Sequence, residues 1–107
     1  MFKEIENALI QIRKQKPLIL NLTNYVTMDL MANALLAVGA APLMTVCDDE
    51  LEELIQMSNC LQINIGTLDE HFIVRCKKAI VFAKQFNKPI VLDPVGSGAS
   101  VIRTKTA

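Results

Sequence analysis

The sequence predicts an α/β fold: a mostly parallel sheet with helices on both faces. Three observations predict it. Short apolar runs alternate with segments of helical periodicity along the whole chain. The run Leu18-Ile19-Leu20 has no polar alternation, as expected of a strand covered on both sides. The connections are short, and strand–helix–strand units of that kind imply right-handed crossovers.

The elements follow in order. Phe2, Ile5, Leu9 and Ile12 recur at helical spacing with Lys3, Glu6 and Arg13 between them, which makes an amphipathic helix ending before Pro17. Residues 18–20 form the first strand. Residues 27–38 read as a helix apolar almost all round, stopped by Gly39. Residues 42–46 are the second strand. Asp49 with Glu52 resembles a capping box, and Leu51, Leu54 and Ile55 supply the buried stripe of the helix it opens. Leu61, Ile63 and Ile65 alternate with Gln62 and Asn64, giving a third strand. Thr67 with Glu70 is a second capping box. Its helix carries Phe72, Cys76, Ala79, Ala83 and Phe86 on one side and ends near Asn87, ahead of Pro89. Ile90-Val91-Leu92 is the fourth strand.

Size and composition narrow the function. A chain of 107 residues, 51% hydrophobic, suits one small domain or a piece of a larger one. Eleven basic and eleven acidic residues cancel, with no basic patch, which argues against nucleic acid as a partner. Cys47, Cys60 and Cys76 are widely spaced with no CxxC pair, so they read as buried free thiols of a reducing cytoplasm rather than as a zinc site. The start, MFKEIENAL, is no signal peptide. Residues 28–43 are too short and too interrupted to cross a membrane. The rhythm calls for another helix where residues 104–107 stand, and four parallel strands would leave an edge uncovered. The chain is therefore expected to be part of a longer protein.

Ligands of an open parallel sheet bind beyond the carboxyl ends of its strands. There the sequence places Asn21-Leu22-Thr23-Asn24, then Met44 leading to Asp48 and Asp49, then Asn64-Ile65-Gly66-Thr67, then Asp93-Pro94-Val95-Gly96-Ser97-Gly98. Small polar residues and glycines gather at one rim, and that rim is the expected site. Gly96-Ser97-Gly98 is either an ordinary strand-to-helix loop or backbone drawn close to a phosphate or metal. It is neither a Walker A loop nor the full dinucleotide fingerprint. Asp93 either caps the next turn or holds Mg²⁺. Met44 is a core residue or a contact for a heteroaromatic ring. Asn24 and Asn33 read as a turn residue and a polar position on a buried helix. His71, the single histidine, lies in the first turn of a helix with no nucleophile to pair with, and residues 48–53 read as a helix start and a solvated face.

Taken together, three stretches resemble the hydroxyethylthiazole kinase family of the ribokinase-like superfamily: "LNLTNYVTMDLMANALLAVGAAPLM" at 20–44, "INIGTL" at 63–68 and "VLDPVGSGAS" at 91–100. The resemblance implies a three-layer α/β/α sandwich, of which residues 1–107 are the N-terminal part of a single kinase domain. It implies transfer of the γ-phosphoryl group of ATP, with Mg²⁺, to the hydroxyl of 4-methyl-5-(2-hydroxyethyl)thiazole in thiamine salvage. It also implies a homotrimer with the thiazole site at the subunit interface. By the same resemblance Met44 is a thiazole contact, and Asn24 and Val26 lie in the thiazole-pocket segment. Gly66 lies on a loop reaching the pocket from a neighbouring subunit, and Asp93 is near the Mg²⁺–phosphate site. Leu20 and Asp29 depart from the family's histidine and asparagine. No catalytic base is expected in this chain, because the family's glycine-rich anion hole and most of its ATP site lie further on. The competing readings are a non-catalytic small-molecule binding module and an α/β domain serving only as an oligomer interface.

Overall fold

The computed structural model describes all residues, 1–107. Its strands are β1 (Leu18–Leu22), β2 (Ala41–Met44), β3 (Cys60–Asn64) and β4 (Ile90–Asp93). They form one sheet in the order β2-β1-β3-β4, with every pair parallel. The helices are α1 (Phe2–Gln15), α2 (Tyr25–Val38), α3 (Leu51–Met57), α4 (Glu70–Gln85) and α5 (Val101–Thr106). The expected α/β fold is present, with a sheet that is parallel throughout.

Strand order decides where the helices go. The chain steps from β1 outward to β2, then crosses back past β1 to β3 and continues to β4. Right-handed crossovers put α2 on one face and α3 with α4 on the other. The direction of travel reverses between the neighbours β1 and β3, so their carboxyl ends flank the topological switch point.

The core lies on the α3–α4 face. Leu20, Leu22, Leu61, Ile63 and Ile65 from the sheet and its rim pack with Leu51, Ile55, Phe72, Cys76, Ala79 and Ala83. Each large side chain buried there stabilises the fold by about 1.5–3 kcal/mol. Ala79 and Ala83 are fully buried and let α4 lie close against the sheet. Leu20 sits in this core at 0% exposure.

The opposite face differs from expectation. Neither α1 nor α2 contributes a buried residue. A helix apolar nearly all round belongs in an interior, yet Tyr25, Val26, Leu30 and Leu36 stand exposed. Residues 1–107 cover the side of this helix that meets β2 and leave those four residues uncovered. Asn33, expected on a buried helix, is exposed and donates to Asp29 Oδ1 at 3.2 Å.

Element ends show which local chemistry prevails. Helix α2 starts two residues earlier than its apolar pattern, because Asn24 Oδ1 accepts from Thr27 N at 3.1 Å. Strand β2 ends at Met44, where Thr45 Oγ1 accepts from Cys47 N at 2.9 Å and turns the chain. The Asp49–Glu52 capping box does not form. A 3₁₀ turn, Asp48–Glu50, leads into α3 with no side-chain cap. Asp48 turns instead towards α4, accepting from Arg75 Nε at 2.8 Å and Lys78 Nζ at 3.1 Å. The Thr67 box does not form either. Asp69 is the cap of α4, accepting from Phe72 N at 2.7 Å. The chain reaches helical conformation two residues later because Gly66 is tied to Asn64 and Arg103. Of the thiols, Cys76 is buried, Cys60 half-buried and Cys47 exposed, so only the first fits the expectation of burial.

Candidate functional site

All five residues singled out in the sequence sit at or just beyond the carboxyl edge of the sheet. Asn24 follows β1 and caps α2, so its Oδ1 is committed to the helix. Val26, in the first turn of α2, is 87% exposed. Together with Thr23, Tyr25, Val46 and Arg75, these two help to line a cavity of about 300 Å³. The cavity opens between the N-terminal ends of α2 and α4, on the side of the switch point.

Gly66 lies across the switch point from Asn24. A Cβ at position 66 would fall 2.8 Å from Asn64 Oδ1, 3.2 Å from Val95 Cγ1 and 3.5 Å from Asn24 Nδ2. A side chain there would push the Asn64 amide aside and press on Val95. Asn64 joins the strand ends. Its Oδ1 accepts from Gly66 N at 2.8 Å, and its Nδ2 donates to Asp93 Oδ2 at 2.9 Å across the β3–β4 pair. Asp93 is exposed, and its Oδ1 makes no hydrogen bond within the chain. The backbone supports the same junction, since Ile65 N donates to Asp93 O at 3.2 Å.

Gly66 and Asp93 are thus joined through Asn64, with the Asn24 amide beside Gly66. Met44 stands apart from them. It ends β2, opposite Asn21, on the far side of β1. Three strand spacings separate β2 from β4, so Met44 and Asp93 lie about 14 Å apart along the rim.

The cavity wall carries two charged side chains, Asp69 and Arg75. Arg75 is paired with Asp48. The hydrogen bonds from Lys78 and Arg75 hold the Asp48 carboxyl below its ordinary value. The acidic run is therefore part of a salt-bridge network rather than a wholly solvated face. His71 is exposed and contributes to the cavity wall. Burial pushes the Cys76 thiol up to about 12 and also raises that of Cys60, so neither is a nucleophile at neutral pH.

Two residues of the rim carried little signal in the sequence. Asn64 appears there as the polar member of an alternating strand and as one of the small polar residues of the rim, with no role of its own. Arg103 lies beyond the glycine loop in a segment with no motif, yet its guanidinium bonds Gly66 O at 2.7 Å and Val95 O at 3.1 Å. Neither strand pattern nor helix periodicity could have found it.

A parallel sheet with a polar rim and a lined cavity at its switch point defines an α/β protein of the open-sheet class. Comparison with known proteins makes the assignment specific. A family model described as the Hydroxyethylthiazole kinase family matches residues 9–107. Hydroxyethylthiazole kinase from Chlamydia caviae is 53% identical over 107 residues, covering 100% of this chain and 41% of the relative. The Pyrococcus furiosus enzyme of that name is 50% identical over 103 residues, covering 96% of this chain and 39% of the relative. The solved structure of the hydroxyethylthiazole kinase protein from Pyrococcus horikoshii OT3 superposes with a TM-score of 0.94 at 48% identity, covering 97% of this chain and 41% of that one. The chain belongs to the hydroxyethylthiazole kinase family. It spans about two-fifths of the length of the relatives it matches. No helix is long and apolar enough to cross a membrane.

Proposed function

We propose that residues 1–107 are the N-terminal part of a single kinase domain, and that the whole protein is a cytoplasmic hydroxyethylthiazole kinase. It transfers the γ-phosphoryl group of ATP to the hydroxyl of 4-methyl-5-(2-hydroxyethyl)thiazole. The observation that carries this reading is identity of 53% sustained over the full chain, together with the rim of Asn24, Gly66 and Asp93.

The rim supports a division of labour. Val26 and Met44 offer apolar surface to a heteroaromatic ring, and the Asn24 amide, its oxygen used by the helix, keeps its Nδ2 for a polar atom. Asp93 fits Mg²⁺. It is exposed with one oxygen free, and Mg²⁺ in phosphotransferases takes one or two carboxylates plus phosphate oxygens and water. When bound, the cation neutralises charge developing on the transferring phosphoryl group. Asn64 keeps the Asp93 carboxylate turned towards the rim.

A homotrimer with the thiazole site between subunits accounts for two further features. Within one chain Met44 lies two strand spacings, about 10 Å, from the strand that leads to Gly66, so a ring resting on Met44 reaches a Gly66 loop more easily from a neighbouring copy. The exposed apolar residues of α2 would be covered by the same contact.

The test is an assay of the whole protein with Mg²⁺-ATP and hydroxyethylthiazole. Stoichiometric formation of the thiazole phosphate and ADP is expected. Absence of turnover at saturating substrates would refute the reading.

A further inference from the structure

Arg103 bonds two separate loops at the rim, and nothing in the reaction as outlined uses it. Helix α5 presents it after Ser100, whose Oγ accepts from Arg103 N at 3.2 Å. From there the guanidinium reaches two different loops. Nη2 donates to Gly66 O at 2.7 Å, in the β3–α4 connection, and Nη1 donates to Val95 O at 3.1 Å, in the β4–α5 connection. The two carbonyls are 29 residues apart in sequence and have no other shared partner. A rigid planar fork suits such a bridge, whereas an ammonium group is a single point.

The neighbouring glycine fits the same arrangement. Gly96 has φ +79, and a Cβ there would lie 2.5 Å from Arg103 Nη1 and 2.9 Å from its Cδ. A side chain at position 96 would displace the arginine. The loop is fastened from its other end as well, since Gly98 N donates to Thr104 Oγ1 at 2.8 Å.

We infer that Arg103 is a positioning residue that locks the Gly66 loop and the Asp93–Gly96 loop to each other, so that the alcohol-binding and cation-binding sides of the site hold a fixed spacing. This rests on the kinase reading for its consequence in turnover, but the lock itself does not. It acts through Gly66 and Val95 and needs no contact with substrate.

The experiment uses the whole protein, as wild type, Arg103→Lys and Arg103→Ala. In hydrogen exchange, peptides covering 64–68 and 94–98 should both exchange at least tenfold faster in both variants, with the core strands unchanged. In kinetics, half-saturating thiazole and half-saturating Mg²⁺ should both rise about tenfold in both variants, because lysine keeps the charge and loses the fork. Added guanidinium should restore part of the Arg103→Ala loss and leave the wild-type constants unchanged. Near wild-type constants for Arg103→Lys would show that charge alone matters and would overturn the inference. So would faster exchange in only one of the two loops, or a lower melting temperature with unchanged constants. If wild type itself shows no turnover, the kinase reading fails, and the exchange measurement still decides the lock.

Discussion

Replacing Asn64 by aspartate keeps the shape of the side chain and reverses its effect on Asp93. The native amide donates to Asp93 Oδ2 at 2.9 Å and accepts from Gly66 N at 2.8 Å. In Asn64→Asp the second bond survives, and the first becomes a contact between two carboxylates. Loss of a hydrogen bond to a charged group costs about 1 kcal/mol at a solvent-exposed position. Repulsion between unit charges at contact distance is about 1–4 kcal/mol, and the exposure of Asp93 favours the lower end. Together they destabilise the whole protein by about 2 kcal/mol at pH 7. Two carboxylates in contact do not ionise together, so one takes up its proton above the ordinary range. The folded variant then binds a proton more readily than its unfolded chain, and stability must be regained as pH falls through that raised value. Asn64→Ala loses both hydrogen bonds but acquires no such pH dependence. Urea denaturation of the three proteins from pH 7 to pH 4.5 measures this. Salt should narrow the gap between Asp and wild type, and millimolar Mg²⁺ should narrow it further if the paired carboxylates hold the ion. An Asn64→Asp protein as stable as wild type at pH 7, or one that tracks Asn64→Ala across the range, would refute the geometry of the rim.

Three further outcomes are expected. Asp93→Ala should lower turnover by at least a hundredfold while changing thiazole affinity less than threefold, as steady-state kinetics and calorimetric titration would show; equal losses would remove the cation role. Met44→Ala should do the reverse, weakening thiazole binding about tenfold with little change in kcat, and an unchanged dissociation constant would return Met44 to a packing role. Lys78 and Arg75 hold the Asp48 carboxyl below its ordinary value near 3.8, so its contribution to stability is complete above that pH and is lost as pH falls through the depressed value. Asp48→Asn should therefore be less stable at neutral pH, with a flatter loss of stability below pH 3.8, measurable by acid titration of the unfolding midpoint.

The sheet was legible because its residues report their own environment. Continuous apolar strands and the stripe of Phe72, Cys76, Ala79 and Ala83 each need only local spacing to be recognised, and all of these helix positions are buried. The caps were less legible because several acceptors compete within a few residues. Thr67 and Asp69 both precede α4, and the choice of Asp69 depends on Gly66 being held from outside the segment. Asp48 reads as a helix start until α4 brings Arg75 and Lys78 beside it, 27 and 30 residues later. The apolar character of α2 predicted burial, and the prediction failed for residues 1–107 because periodicity records that a surface is covered without recording by what.

Gly96 shows the same distinction at the site itself. A glycine after a strand that ends in Asp93 is consistent with backbone approaching a phosphate, and equally with a plain turn. Neither reading requires the particular neighbour found there. The positive φ of 79 would tolerate asparagine at modest strain, but the space where a Cβ would point is taken by the Arg103 side chain. The constraint on position 96 is thus set by a residue seven places further along, through a contact that follows only once α5 has folded back over the loop. A substitution at 96 would act on the rim by expelling the guanidinium from Gly66 and Val95. Its effect should then be smaller in an Arg103→Ala background than in wild type, since residues acting through one contact do not add.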